Sequence, residues 1–219
     1  MGEFRLEGNI LKFVEEISKN KRGEFYIFYE EVPVKVLLKI LNIDFLREQI
    51  EFEINPKIEA MISQEKQIYA RYKDEVFVLR AIIWNKENLI TSFPRFAVEP
   101  KINREYVRVK CSNKKPVSLE IEDIKLCVTL RDISERGFSF KLPKEIHIEV
   151  GEDYSGKITI NKKTFPLKFK VLYKTERPDN TYRYGAKFVE IKPTLENEIA
   201  KYITERQREI AKILNTFAD

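Results

Sequence analysis

The chain has 219 residues, 43% hydrophobic and 12% aromatic, which excludes a disordered chain and suits two domains of roughly 100 residues each. Lys+Arg 40 against Asp+Glu 35 leaves +5 spread over a surface of both signs, which argues against bulk nucleic-acid coating. One histidine (His147) and two cysteines (Cys111 and Cys127) exclude a disulfide scaffold and most metal or acid–base chemistries.

Both cysteines lie in apolar segments and read as buried, reduced thiols in a cytoplasmic protein. The first ten residues carry Glu3 and Glu7 and no apolar h-region, and the strongest apolar run, residues 34–41, is broken by Lys35 and Lys39. Neither a signal peptide nor membrane insertion is expected. Ile10, Phe13, Val14 and Ile17 recur at helical spacing behind Asn9, a good N-cap, and predict a short amphipathic helix ending near residues 19–23. The period then changes to two. Val34, Val36 and Leu38, then Phe52 and Ile54, then the β-branched and aromatic run 76–84, read as strands.

Phe93-Pro94-Arg95 and Glu99-Pro100-Lys101 place two prolines close together and predict a linker, with a domain boundary between residues 98 and 99. Beyond it, residues 106–111, 125–130, 137–141, 156–160, 165–173 and 184–191 read as six short strands, which argues for a small antiparallel barrel. Thr194 then caps a long helix whose stripe runs from Leu195 to Phe217; it could form an oligomer coil or cover the barrel, and the cover is favoured because the stripe spans few heptads. His147 and Trp84 read as a solvent-facing strand residue and a packing residue. The expected fold is mainly β: two small β-barrel-type domains in tandem, residues 1–98 and 99–219, with an N-terminal short helix and a long C-terminal helix.

Gly151, Gly156 and Lys157 reproduce the spacing of a phosphate loop. The next residue is Ile158 rather than Ser or Thr, and strand rather than helix follows, so a hairpin turn is the better reading. A more informative constellation begins at Arg104-Glu105-Tyr106-Val107-Arg108, where two arginines four residues apart, on a segment entering a strand, would lie on one side and converge on one anion. Alone, such a pair is usually two solvated charges. After 23 intervening residues, 109–131, comes Asp132-Ile133-Ser134-Glu135-Arg136-Gly137, an acceptor, a hydroxyl and a glycine at fixed offsets in what reads as a turn.

Together these resemble the PilZ family of cyclic di-GMP receptors, whose signature pairs R-x-x-x-R with [DN]-x-S-x-x-G roughly 20 to 30 residues later. Ile133, Phe138, Phe140 and the segment 184–191 fit the same pattern, so the resemblance covers about residues 99–192. It implies a cyclic di-GMP receptor without catalytic residues, metal or other cofactor. Arg104 and Arg108 would bind phosphates and stack on guanine, Asp132 and Ser134 would contact base and phosphate, and Gly137 would let the turn approach the ligand. Asn103, Arg136 and Gly185 complete the expected site. Asn103 stands where many relatives carry a basic residue, which leaves open one or two ligands per site.

Residues 8–98 resemble, by position and strand content, the N-terminal domain of flagellar-brake proteins. That implies a loop at Pro100-Lys101-Ile102-Asn103 which reorders on binding, and a partner in motility or pilus machinery. A ligand-free PilZ adaptor and a single-stranded nucleic-acid barrel are the rival readings. The first usually lacks one of the two motifs, and the second wants exposed aromatics among basic residues.

Overall fold

The structure, a computed structural model, describes residues 2–98 and 101–217, and side chains from residue 8 onward. The chain divides into two compact units, residues 1–104 with 211–219, and residues 105–210.

The first unit opens with helix α1 (Gly2–Asn20), followed by strands β1 (Arg22–Tyr29), β2 (Val32–Asp44) and β3 (Gln49–Glu53), helix α2 (Pro56–Glu65), and strands β4 (Gln67–Tyr72), β5 (Glu75–Trp84), β6 (Asn88–Ser92) and β7 (Arg95–Phe96). The sheet runs β4-β1-β2-β3-β6-β5 and closes through a β4–β5 pairing, with β7 added on β5. Closure leaves no long free edge in this six-stranded barrel. Phe25, Phe52 and Phe77 are fully buried inside it, and Phe13 of α1 meets the rings of Phe25 and Phe77 at 6.4 and 5.2 Å.

Several sequence expectations change in this unit. Helix α1 begins before Asn9, whose side-chain amide donates to Glu75 (3.1 Å) instead of capping, so Asn9 is an interior residue. Helix α2 was not anticipated. Its apolar stripe is only Ile58, Met61 and Ile62, but its start carries a recognisable signal: Asn55 accepts from the Ile58 N–H at 3.0 Å and Pro56 occupies the first turn. Phe93-Pro94-Arg95 is not a linker, because β7 follows at once and pairs with Phe77 and Val78. The other half of the expected linker, Glu99-Pro100, lies outside the described residues.

The second unit contains strands β8 (Arg108–Lys110), β9 (Ser118–Ile121), β10 (Leu126–Ser134), β11 (Gly137–Pro143), β12 (Asp153–Ile160), β13 (Lys163–Glu176) and β14 (Thr181–Glu190), then helix α3 (Pro193–Thr216). Here the closed barrel is β9-β10-β11-β14-β13-β12, with β8 attached outside on β10. The sequence reading counted β8 among six barrel strands and missed β9, whose four residues are too short for periodicity to register. Phe138, Phe140, Phe169 and Tyr184 fill the interior, with Phe138 against Phe169 edge-to-face at 5.3 Å and Phe140 stacked on Tyr184 at 5.6 Å.

Helix α3 covers part of this barrel, as its stripe predicts. Leu195, Ile199, Tyr202 and Ile203 are buried, and the Tyr202 hydroxyl accepts from the Ser112 N–H (2.9 Å) while donating to the Lys115 carbonyl (3.0 Å). Its start differs slightly, since Leu195 and Glu196 N–H groups bond to the Lys192 carbonyl and Pro193 opens the helix, so Thr194 lies inside. The hairpin-turn reading of Gly151, Gly156 and Lys157 holds only for Gly151, which lies in a turn with φ of 93°; Gly156 and Lys157 lie within β12. One side-chain placement changes: Cys127 is exposed, because it alternates outward along β10. His147 faces solvent as expected, but on a loop rather than a strand.

Candidate functional site

A β-bulge builds the site. Between β10 and β11 the register slips at Arg131, with Leu130 opposite Phe140 and Asp132 opposite Ser139. Without the bulge Asp132 would share the core face with Leu130; the extra residue turns it onto the outer face beside Ser139, and Ile133 opposite Phe138 returns to the core. Cross-strand pairing extends that outer face. Ser134 lies opposite Arg108 on β8, Ser139 lies opposite Gly185 on β14, and Arg183 sits two residues before Gly185 and therefore on the same side.

Arg108, Asp132, Ser134, Gly137 and Gly185 thus share one face of one sheet. Asp132 has no exposed surface; its Oδ2 accepts from Ser139 Oγ at 2.5 Å and from Arg183 Nη2 at 2.7 Å. Its Oδ1 lies 3.3 Å from Arg108 Nη1, close enough for an ion pair but without hydrogen-bond alignment. Arg108 Nε is likewise buried without a hydrogen bond. Ser134 Oγ donates to the Gly137 carbonyl at 3.1 Å, closing the two-residue Glu135-Arg136 turn. Asp132 and Ser134 were expected within a turn; they occupy the buried end of a strand.

Two guanidiniums facing one carboxylate leave a positive excess, held rigidly by the sheet, which suits an anionic ligand. Arg183 was missed by sequence reasoning. The available signal was parity, because two residues before Gly185 on a strand is the same face.

The glycines have packing reasons of their own. A Cβ on Gly137 would stand 2.3 Å from the Ala186 carbonyl oxygen, and one on Gly185 would fall 2.2 Å from the Tyr173 ring, which lies across from it. Arg136 is exposed, with its guanidinium 5.2 Å from the Tyr106 ring centre.

Asn103 and Arg104 belong to the first unit. Residues 104–107 are not strand, so the expectation that Arg104 and Arg108 share a strand side has no basis in the backbone. Arg104 Nη1 instead binds Glu31 Oε2 at 2.8 Å, Lys101 pairs with Glu65 at 2.9 Å and with Glu31 at 3.6 Å, and Arg71 donates to the Ile102 carbonyl at 2.9 Å. Asn103 is exposed.

Among the described residues no cluster of His, Cys, Asp or Glu could hold a metal, and no helix is long and apolar enough to cross a membrane. The nearby Cys111 thiol is pushed up to about 12, first by burial and then by the Asp132 charge.

Comparison with known proteins places this geometry. No curated protein gives a significant match to the chain. Among solved structures, MrkH of K. pneumonia in its c-di-GMP complex superposes with a TM-score of 0.52 at 11% identity, covering 93% of this chain and 94% of that one. At that identity the likeness is one of fold. YcgR of Escherichia coli in complex with c-di-GMP gives a TM-score of 0.47 at 17% identity over 94% and 93% of the two chains. The Bacillus subtilis inhibitor of motility, MotI/DgrA, gives 0.45 at 13% over 86% and 97%. The PilZ domain family matches residues 102–205, the stretch that carries Arg104, Arg108, the bulged strand and the first half of α3. Residues 102–205, a little under half of the chain, are therefore a PilZ domain.

Proposed function

We propose that the chain is a cyclic di-GMP receptor acting by binding rather than catalysis. The observation that carries this reading is the shared outer face of Arg108, Asp132 and Ser134 within the PilZ domain, with Arg183 beside them. Cyclic di-GMP carries two phosphates and two guanines. Its receptor needs fixed cations, planar groups for stacking, and an acceptor for the guanine N1 and N2 hydrogens. The guanidiniums of Arg104 and Arg108 meet the first two needs, and Asp132 Oδ1, buried beside Arg108 without a hydrogen bond, meets the third once Arg108 turns from it to the ligand. Ser134, Gly137, Asn103, Arg136 and Gly185 line the same site in this proposal.

The division into domains 1–98 and 99–219 belongs to the proposal, as does its coupling. A ligand held by both Arg104 and Arg108 restrains the segment joining the two domains, so binding reorients them. The output, control of motility or surface behaviour through a protein partner in the cytoplasm, rests on the resemblance of residues 8–98 to flagellar-brake domains. Thermal melting with cyclic di-GMP tests the binding claim. Saturating ligand at 100 times Kd stabilises by about 2.7 kcal/mol, so the wild-type midpoint rises by several degrees. Arg108→Ala should cut the shift to about a third or less at the same ligand concentration, and an equal shift in that variant would refute the site.

A further inference from the structure

Resting on the reading of the chain as a cyclic di-GMP receptor, we infer that Glu31 is an internal competitor for the ligand: its carboxylate occupies the Arg104 guanidinium and thereby sets the affinity of the site. Four observations within the first unit converge on this. Glu31 is nearly buried, its side chain 10% exposed, and it faces two cations, Arg104 at 2.8 Å and Lys101 at 3.6 Å. A carboxylate and a phosphodiester each offer a guanidinium two oxygens, so both compete for the same donors.

The turn that presents Glu31 is the second observation. Glu30 and Glu31 join β1 to β2 with φ of 52° and 71°, the left-handed region that a two-residue hairpin of this kind fills with Asn or Gly. Two glutamates there are unfavourable for the backbone, and the Arg104 and Lys101 contacts offset that strain. Third, the segment carrying Arg104 is fastened to this unit. Ile102 packs against the Phe28, Tyr69 and Val76 cluster, its carbonyl accepts from Arg71, and Lys101 lies 5.6 Å from the centre of the Phe28 ring. Fourth, Glu65 of α2 takes the Lys101 ammonium with both oxygens, at 2.9 and 3.0 Å, so the neighbouring cation is engaged as well.

A phosphate reaching Arg104 must displace Glu31, and apparent affinity falls by the fraction of molecules in which Arg104 is released. Removing the competitor therefore tightens binding. Calorimetric titration of the full chain with cyclic di-GMP should show Glu31→Gln binding about tenfold more tightly than wild type, with a smaller gain for Glu65→Gln. Glu31→Asn, which tolerates the left-handed backbone, should behave like Glu31→Gln and guards against misfolding of one variant. Glu30→Gln, on the same turn, is the control for long-range charge and should stay within about twofold of wild type.

A residue with only a structural role would weaken binding or leave it unchanged when replaced. Wild-type binding with no gain in either Glu31 variant, or an equal gain in Glu30→Gln, would overturn the competitor while leaving the receptor reading intact. Absence of saturable wild-type binding would overturn both.

Discussion

At the scale of single residues, Asp132 is the part of the site whose role changed most between sequence and structure. The motif announces it as a base contact in a turn; the bulge at Arg131 makes it the buried acceptor of Arg183 and Ser139, with Arg108 alongside. Removing one partner of a buried charge cluster is strongly destabilising, so Asp132→Ala should lower the stability of the PilZ domain by about 3 kcal/mol, measured by urea unfolding. An unchanged midpoint would show that Arg183 and Arg108 need no counter-charge. With ligand, Oδ1 facing guanine predicts at least about a hundredfold preference for cyclic di-GMP over cyclic di-AMP, because adenine lacks both donors and turns an acceptor toward the carboxylate. Competition between the two dinucleotides on wild type checks it. The cysteines give a further expectation. With its thiol at about 12, Cys111 is ionised in about one molecule in ten thousand at pH 8, so thiol reagent should label Cys127 alone in the folded chain and both cysteines after unfolding.

Among elements, what could be read from the sequence followed periodicity. The stripes of α1 and α3 and the longer strands declared themselves, because each buries a repeating face of several residues. Helix α2 and strand β9 did not, since ten and four residues hold too few repeats, and only the Asn55-Pro56 cap marked the former. The bulge is silent in sequence: Arg131 is an ordinary residue, and only the pairing of β10 with β11 shows that it stands outside the register. Arg183 stayed hidden for the same reason, because its relation to Asp132 crosses from β14 to β10. Glycine substitutions separate two kinds of close approach on this sheet. Gly137→Ala drives its methyl group into the backbone carbonyl of Ala186 and should destabilise the domain by about 2 kcal/mol. Gly185→Ala meets the half-exposed ring of Tyr173, which can swing aside, and should cost well under half as much. Thermal melts of the two variants decide, and equal losses would contradict this distinction.

At the scale of the whole molecule, one arginine of the motif lies in each unit: Arg104 held by Glu31 in the first, Arg108 held at Asp132 in the second. The proposed coupling requires one ligand to engage both arginines. Small-angle scattering should change on adding cyclic di-GMP, and hydrogen exchange at residues 101–108 should slow; superimposable profiles with unaltered exchange would remove the coupling and leave binding untouched. Binding itself is the central claim, and calorimetric titration of the intact chain with cyclic di-GMP tests it most directly. The account predicts saturable binding with one or two ligands per chain, weakened about thirtyfold or more in both Arg104→Ala and Arg108→Ala, roughly 2 kcal/mol for each lost charge-assisted contact. No saturable heat in wild type, or wild-type affinity in both arginine variants with normal thermal melts, would contradict it.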